Sequence, residues 1–309
     1  MNTLPPVLHE AVTQILGAAP QAAIPLPGGM INQAARIETP FGPLVVKWNE
    51  GALPGLFASE ADGLERLRAA GALRVPKILA VSDAASRPLP LPDGEQESVI
   101  IPSFLVMEYI DPLPGDIAEF ARRFGESLAR QHQTTTSENG LFGLERDNYI
   151  GALPQPNAWR MTWPEFYRER RLLPQLAIAL RLGRLPGDRE ARLRRLVDQV
   201  DTILADSRSL PCLLHGDLWS GNFLQSGEEA IVIDPAVYYG DREIELAYIQ
   251  LFGGFPPGFI EAYQSAYPLP GEYLLRRPLH QLYPLLFHLN TFGEEYWPQV
   301  EMVLLRYGC

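Results

Sequence analysis

The chain has 309 residues, 46% of them hydrophobic and 20% charged, so it can bury the core of one large domain or two modest ones. Its formal net charge of -11 argues against binding to nucleic-acid phosphates or anionic membranes, because both require a basic face. The start of the chain has no basic segment followed by an apolar stretch, and no run of about 18 apolar residues occurs. We therefore expect a cytoplasmic protein with no nucleic-acid or membrane partner, present as a monomer or weak dimer.

The first third of the chain has the pattern of a small α+β lobe. An amphipathic helix is predicted first, then a hairpin across 39–43 and a helix over Leu56–Ala70. Strands are predicted near 77–81 and 99–107, with the proline-rich segment 87–93 as a surface loop.

The remainder of the chain is predicted to be mainly helical. A turn-rich connector at 111–115 precedes long helical patterns at 117–133 and 188–205, and short strands flank the motif-bearing loops. The predicted organisation is a two-lobed α+β protein, with an N-terminal nucleotide-binding lobe at 1–108 that carries an antiparallel sheet. A larger catalytic and acceptor-binding lobe, mostly helical, follows at 109–309. The two cysteines, Cys212 and Cys309, predict no disulfide framework.

The strongest functional signal is a loop that carries an aspartate and an asparagine. Asp217 and Asn222 lie five residues apart after an apolar strand, and Asp234 follows twelve residues later at the end of another. This spacing is typical of phosphoryl transfer in protein-kinase-like folds. Asp217 would accept the proton of the attacking hydroxyl, while Asn222 and Asp234 would offer Mg²⁺ hard oxygen ligands. Either residue type alone commonly caps a turn, but the combination favours a kinase site.

Residues expected to hold ATP precede this loop. Of 26 basic residues only Lys47 and Lys77 are lysines, and Lys47 lies in a predicted strand, where it could reach between phosphates. Glu60, on the following helix, is the expected partner of Lys47, and Glu65 is the competing one. Gly28 and Gly29 precede another strand and would let backbone amides approach phosphate, although a plain turn remains an alternative.

The end of the small lobe is expected to receive the adenine. Met107, Glu108, Tyr109 and Ile110 lie at the end of its last predicted strand, and their assignment to the nucleotide site rests on fold analogy.

The segment after Asp234 separates this chain from protein kinases. Only six residues lie between Asp234 and the next helical pattern at Asp241, too few for an activation segment. The acceptor is therefore expected to be small or flexible.

The sequence resembles the fructosamine-kinase, or ketosamine 3-kinase, family, a branch of the aminoglycoside-phosphotransferase-like group. The resemblance covers nearly the whole chain, and its most specific parts are HGDLWSGN at 215–222 and IDPAVYYGDRE at 233–243. Further matching segments are Gly28-Gly29, FG at 142–143, DNYIG at 147–151, QPN at 155–157, Trp163, FGGF at 252–255 and LYPLL at 282–286.

The resemblance implies phosphorylation of a ketosamine at its 3-hydroxyl with ATP and Mg²⁺, a step that removes sugar adducts from amines. Trp219 and His288 are candidate contacts to that substrate, although Trp219 could equally pack its own loop. Some relatives have a cysteine in the glycine-rich loop that is linked to redox-dependent dimerisation. This chain has none there, so that property is not carried over.

Two other functions remain open from the sequence. One is a kinase of the same fold that acts on an aminoglycoside or an amino alcohol. The other is a non-catalytic pseudokinase that only binds, which the intact set of Lys47, Asp217, Asn222 and Asp234 disfavours.

Overall fold

The structure, a computed structural model, describes residues 4–27, 31–90, 96–207 and 210–309. Within these residues, a five-stranded antiparallel sheet in the order β1-β2-β3-β7-β4 occupies the first third of the chain, and four two-stranded sheets accompany it and the helices. The strands are β1 (Ala22–Pro25), β2 (Gln33–Thr39), β3 (Gly42–Asn49), β4 (Ile78–Ser82), β5 (Ala85–Pro90), β6 (Gln96–Ile101), β7 (Ser103–Glu108), β8 (Asn148–Ile150), β9 (Leu153–Gln155), β10 (Cys212–Leu214), β11 (Phe223–Ser226), β12 (Glu229–Val232) and β13 (Tyr238–Gly240).

Helices dominate the rest of the described chain. They are α1 (Pro6–Leu16), α2 (Leu56–Ala70), α3 (Ile117–Thr134), α4 (Trp163–Phe166), α5 (Leu173–Arg181), α6 (Arg189–Asp198), α7 (Val200–Ile203), α8 (Arg242–Phe252), α9 (Phe259–Ala266), α10 (Tyr273–Phe292) and α11 (Trp297–Arg306). A π-helical turn over Tyr167–Leu172 joins α4 to α5, and a 3-10 turn over Glu294–Tyr296 precedes α11. No helix among the described residues is long and apolar enough to cross a membrane.

The central strand β3 is covered on both faces, which fixes the direction of Lys47. Side chains alternate along a strand, so Leu44, Val46 and Trp48 share one face, where they pack with residues of α1. Val45 lies on the opposite face and packs in the core that includes Phe57 of α2. Lys47 belongs to that second face, and its side chain is directed towards α2.

The helical part is organised around α10. Trp163 and Tyr167 pack with Leu279 and Tyr283 in the largest buried cluster, and the Tyr167 hydroxyl donates to the Leu279 carbonyl at 2.6 Å. Helix α8 contacts α10, and its N-cap Asp241 accepts the Glu243 N–H at 2.9 Å.

Three predicted elements differ from the structure. The strand predicted over 99–107 is two strands, β6 and β7, which are separated at Pro102, a residue without an N–H to donate. The prediction of a loop over 87–93 is wrong for residues 87–90, because 85–90 form β5. That strand pairs with β6 in a two-stranded sheet, where proline is tolerated along the unpaired side. Residues 91–93 lie outside the described residues.

The helix predicted over 188–205 is interrupted at Gln199, which ends α6 and begins α7. Three β-branched residues follow in Val200–Ile203, and they lower helix propensity. The predicted helices over Leu56–Ala70 and 117–133 are present, as is the 39–43 hairpin.

Candidate active site

The loop that carries Asp217 is held rigidly between two small sheets. It leaves β10 and enters β11, and its backbone is tied by Ala236 N–H, which donates to His215 O at 2.9 Å. The buried His215 ring bonds the Ile233 carbonyl through Nε2 at 2.9 Å, so it braces the loop. Gly216 has φ +82°, and a Cβ there would lie 2.1 Å from the Ala236 carbonyl oxygen. Only glycine can bring the chain so close to its neighbour at this point.

Hydrogen bonds engage both oxygens of the Asp217 carboxylate. Oδ1 accepts from the Tyr248 hydroxyl at 2.7 Å, and Oδ2 accepts from Asn222 Nδ2 at 3.1 Å. Desolvation raises the pKa of Asp217 to about 7, and the charge of Asp234 adds to the rise, while the two hydrogen bonds oppose it. The carboxyl is therefore poised as a proton acceptor near neutral pH.

Asn222 and Asp234 offer oxygen ligands beside this carboxylate. Asn222 Nδ2 also donates to the Asp217 backbone carbonyl at 2.8 Å, so both its amide hydrogens are directed at Asp217 and its amide oxygen remains as an acceptor. Ile233 N–H donates to Asn222 O at 3.0 Å, which ties the two segments together. Asp234 has φ +57°, the one non-glycine residue with positive φ in the described chain, and its side chain is 42% exposed. One amide oxygen and one accessible carboxylate fit Mg²⁺, which prefers oxygen ligands and keeps positions for phosphate.

Lys47 joins the sheet to α2 and to the segment that carries Asp234. Its Nζ lies 2.7 Å from Glu60 Oε1 and 2.7 Å from Asp234 Oδ1, with its side chain 8% exposed. Burial disfavours the ammonium, but the charges of Asp234 and Glu60 outweigh it and raise the pKa of Lys47, so it stays a cation. Burial raises the pKa of the Glu60 carboxyl, and the Lys47 ammonium opposes that rise. Glu65, the rival partner, lies 53% exposed and pairs with Arg68 at 3.4 Å instead.

The other predicted nucleotide residues have different surroundings. Gly28 and Gly29 lie outside the described residues. Met107 and Ile110 are buried, and the Tyr109 ring lies 4.5 Å from the Arg36 guanidinium carbon. Glu108 N–H donates to the Lys77 carbonyl at 2.8 Å, and its carboxylate accepts the Lys77 N–H at 3.1 Å, so Glu108 joins the ends of β7 and β4.

A second acidic cluster, at Asp241, Glu243 and His280, is not favoured as a cation site. Its possible ligand atoms lie within 4.8 Å of one another. However, the Arg276 guanidinium already occupies both oxygens of Glu243, at 2.5 and 2.9 Å, and places a positive charge in the cluster.

Comparisons of this chain with known sequences and structures identify its family. The family profile described as "Fructosamine kinase" matches residues 7–307. The chain belongs to the fructosamine kinase family. An Enterococcus faecium protein named "Probable ketoamine kinase" is 37% identical over 282 residues, covering 91% of this chain and 93% of that one.

Solved structures agree with that membership. The crystal structure of a candidate fructosamine-3-kinase from Thermobifida fusca has a TM-score of 0.81 and 35% identity, and the match covers 97% of each chain. The ternary complex of APH(2″)-IIa with streptomycin and ATP, only 13% identical, has a TM-score of 0.64 over 99% of this chain and 97% of that one. The fold is therefore the two-lobed fold of protein-kinase-like phosphotransferases, as the sequence predicts.

The two predicted acceptor residues of this fructosamine kinase family member have different surroundings. Trp219 is half-buried and folds back over its own loop, where a Cβ on Gly221 would lie 2.3 Å from the indole. His288 bonds the Pro284 carbonyl through Nδ1 at 2.7 Å, and burial lowers its pKa. Its ring stands 6.3 Å from that of Tyr248, and the half-buried rings of Phe252, Phe292 and Tyr296 surround it at 4.6 to 5.4 Å. His288 thus lies in an aromatic strip that reaches the Asp217 hydrogen bond through Tyr248.

Sequence reasoning missed two residues that contact the Asp217 loop, Glu245 and Tyr248, both on α8. Glu245 Oε1 accepts the Gly216 N–H at 2.8 Å, and the Tyr248 hydroxyl donates to Asp217. Neither belongs to the loop motif. The sequence feature that could have identified them is their spacing. They lie three residues apart, which places both on one face of the helix that follows Asp241.

Proposed function

We propose that this protein transfers the γ-phosphoryl group of ATP to the 3-hydroxyl of a ketosamine, namely a ribulosamine, erythrulosamine or fructosamine adduct of an amine. The observation that carries the proposal is the convergence of Lys47, Asp217, Asn222 and Asp234 in a chain of the fructosamine kinase family. Its biological consequence would be deglycation, the removal of a sugar from an amine.

In this proposal each polar group has one task. Asp217 accepts the proton of the acceptor hydroxyl while the hydroxyl oxygen forms a bond to the γ-phosphorus. The bond between that phosphorus and the bridging oxygen of ADP breaks, and ADP takes the electron pair. Lys47, held by Glu60, contacts the phosphates of ATP. Asn222 and Asp234 would hold Mg²⁺, which neutralises charge on the phosphate oxygens when bound.

The lobes divide the substrates in the same proposal. Residues 1–108 hold the nucleotide, with the glycine-rich segment at Gly28-Gly29 near the phosphates and 107–110 near the adenine. An ATP complex of a protein with the same fold supports ATP as the nucleotide, and the placement itself rests on analogy with protein-kinase-like folds. Residues 109–309 hold the acceptor. The strip that contains His288 offers aromatic faces to sugar C–H groups beside Asp217, and Trp219, in the same loop as Asp217, offers another.

A substrate panel tests this function. Release of ADP is measured with fructosamine, ribulosamine and erythrulosamine adducts of lysine, and in parallel with an aminoglycoside and an amino alcohol. We expect Mg²⁺-dependent turnover with at least one ketosamine, and NMR of the product should place the phosphate on C3. The Asp217→Asn variant should bind ATP but lose about 10²- to 10⁴-fold in turnover. Turnover with the aminoglycoside or amino alcohol alone would favour another kinase of this fold, and ATP binding without any turnover would favour a pseudokinase.

A further inference from the structure

The carboxylate plane of Asp217 is not fixed by its own rotamer. The terminal torsion of an aspartate joins an sp³ to an sp² carbon and is broad, so its hydrogen bonds must choose the orientation. In this site the 2.7 Å bond from the Tyr248 hydroxyl is the shorter one, and the Asn222 bond at 3.1 Å shares its donor nitrogen with the Asp217 backbone carbonyl. Tyr248 is therefore the stronger constraint on the carboxylate.

Tyr248 is itself held in place. It is 5% exposed, and its ring packs edge-on against Phe252 at 5.4 Å and against His288 at 6.3 Å. Burial and the neighbouring Asp217 raise the pKa of Tyr248 well above its ordinary value, so the hydroxyl keeps the proton that it donates.

The backbone next to Asp217, at Gly216, is held by a residue of the same helix, α8, about one turn earlier than Tyr248. Glu245 is buried and accepts the Gly216 N–H through Oε1, while its Oε2 lies 2.9 Å from His132 Nε2. The other nitrogen of His132 bonds the Tyr263 hydroxyl at 2.9 Å, and that hydroxyl also accepts from Arg242 at 3.2 Å. A buried hydrogen-bonded chain thus connects the loop to α3 and α9.

We propose that α8 positions the base at two points. The Tyr248 hydroxyl sets the orientation of the Asp217 carboxylate, and Glu245 fixes the position of the loop backbone at Gly216. Both are positioning residues, and the inference rests on the proposed function of Asp217. Their spacing of three residues puts both side chains on one helix face, so one rigid element controls both degrees of freedom. An orientation error at a reacting group costs rate without changing the affinity for a substrate that binds elsewhere.

The test compares Tyr248→Phe with Tyr273→Phe. Tyr273 is also buried, and its hydroxyl bonds Gln250 Oε1 at 2.9 Å, so the control loses a comparable hydrogen bond without a contact to Asp217. We expect Tyr248→Phe to lower kcat for a ketosamine by about 10- to 100-fold. Its KM for ATP and its melting temperature should match those of Tyr273→Phe. Glu245→Gln should retain most activity because an amide oxygen can still accept the Gly216 N–H, whereas Glu245→Ala should not.

Two outcomes would overturn the inference. One is an unchanged kcat in Tyr248→Phe. The other is a loss of kcat in Tyr248→Phe that comes with comparable losses of nucleotide affinity and thermal stability beyond those of Tyr273→Phe, which would indicate a general structural role. A double-mutant cycle on melting temperature, with Tyr248→Phe and Asp217→Asn singly and together, supplies a readout that needs no activity. We expect non-additive shifts, and additive shifts would contradict the contact. If Asp217→Asn keeps full turnover, the proposed function fails, and the cycle still tests the contact.

Discussion

The Lys47 ammonium on β3 contacts the Asp234 carboxylate at 2.7 Å, across 187 positions of sequence. This ion pair ties the sheet to the segment between β12 and β13, and backbone hydrogen bonds tie that segment to the loop that carries Asp217. ATP phosphates and Mg²⁺ would bind at these same two groups, so the pair already holds at close range the charges that the proposed reaction needs.

Replacing Lys47 by arginine tests whether shape or charge matters at this contact. The planar guanidinium is wider than an ammonium and cannot occupy the same narrow space between Glu60 and Asp234. We expect Lys47→Arg to lose at least about 10-fold in kcat/KM for ATP despite its preserved charge. Lys77→Arg is the matched control, because the side chain of this other lysine is exposed, and it should behave as wild type. A fully active Lys47→Arg would show that charge alone, and not the shape of the ammonium, is needed at this position.

The partner of Lys47 can be tested with two glutamates of one helix. Glu60→Gln removes the charge that faces Lys47, whereas Glu65→Gln removes an exposed charge next to Arg68. We expect the first variant to raise the KM for ATP several-fold, because Lys47 then lacks one of its two anchors, and the second to leave it unchanged. Equal effects of the two substitutions on steady-state kinetics would disprove the assignment of Glu60.

The proposed metal site predicts a shift in Mg²⁺ requirement. Asp234→Asn replaces a charged ligand by a neutral one and weakens the bond to Lys47, so half-maximal activity should need at least about 10-fold more Mg²⁺. Chelation of divalent ions should abolish turnover of the wild type, and added Mg²⁺ should restore it. A variant with the wild-type Mg²⁺ titration would exclude Asp234 as a ligand.

Gly216 should not tolerate a side chain. Alanine there would combine a positive φ with a Cβ only 2.1 Å from the Ala236 carbonyl, so the loop must move. Gly227→Ala is the control, since Gly227 has φ +64° with open space around its Cβ position. We expect Gly227→Ala to cost about 1–2 kcal/mol in the free energy of unfolding, measured by denaturant titration, because of φ alone. Gly216→Ala should cost clearly more and also lower turnover, and equal costs would show that the contact is relaxed.

The fold and the loop motif could be predicted because local signals agree with the final structure. The helix over Leu56–Ala70 and the hairpin at 39–43 follow from hydrophobic periodicity and turn residues. The pairing of Lys47 with Glu60 is predicted by analogy with the strand-lysine and helix-glutamate pair of protein kinases, and the structure shows the contact.

What the sequence did not reveal depends on tertiary context. Pro88 and Pro90 argue for a loop by composition, yet they lie in β5, whose two-stranded sheet needs no donor along one side. Tyr248 reads as one more aromatic of an amphipathic helix, and its role depends on the distance to Asp217, which no local pattern encodes.

The position of the phosphate on a ketosamine is the most direct test of the central claim. Purified protein is incubated with ATP, Mg²⁺ and a ribulosamine or fructosamine, the enzyme is removed, and the mixture is followed by phosphorus NMR. Loss of a C1 proton gives an enaminol in which a C3 phosphate is allylic, so it can leave, and hydrolysis of the remaining dicarbonyl fragment frees the amine. We predict consumption of the ketosamine, followed by slow appearance of inorganic phosphate and free amine without enzyme. A phosphorylated product that stays intact on mild warming, or no consumption of any ketosamine, would contradict the account.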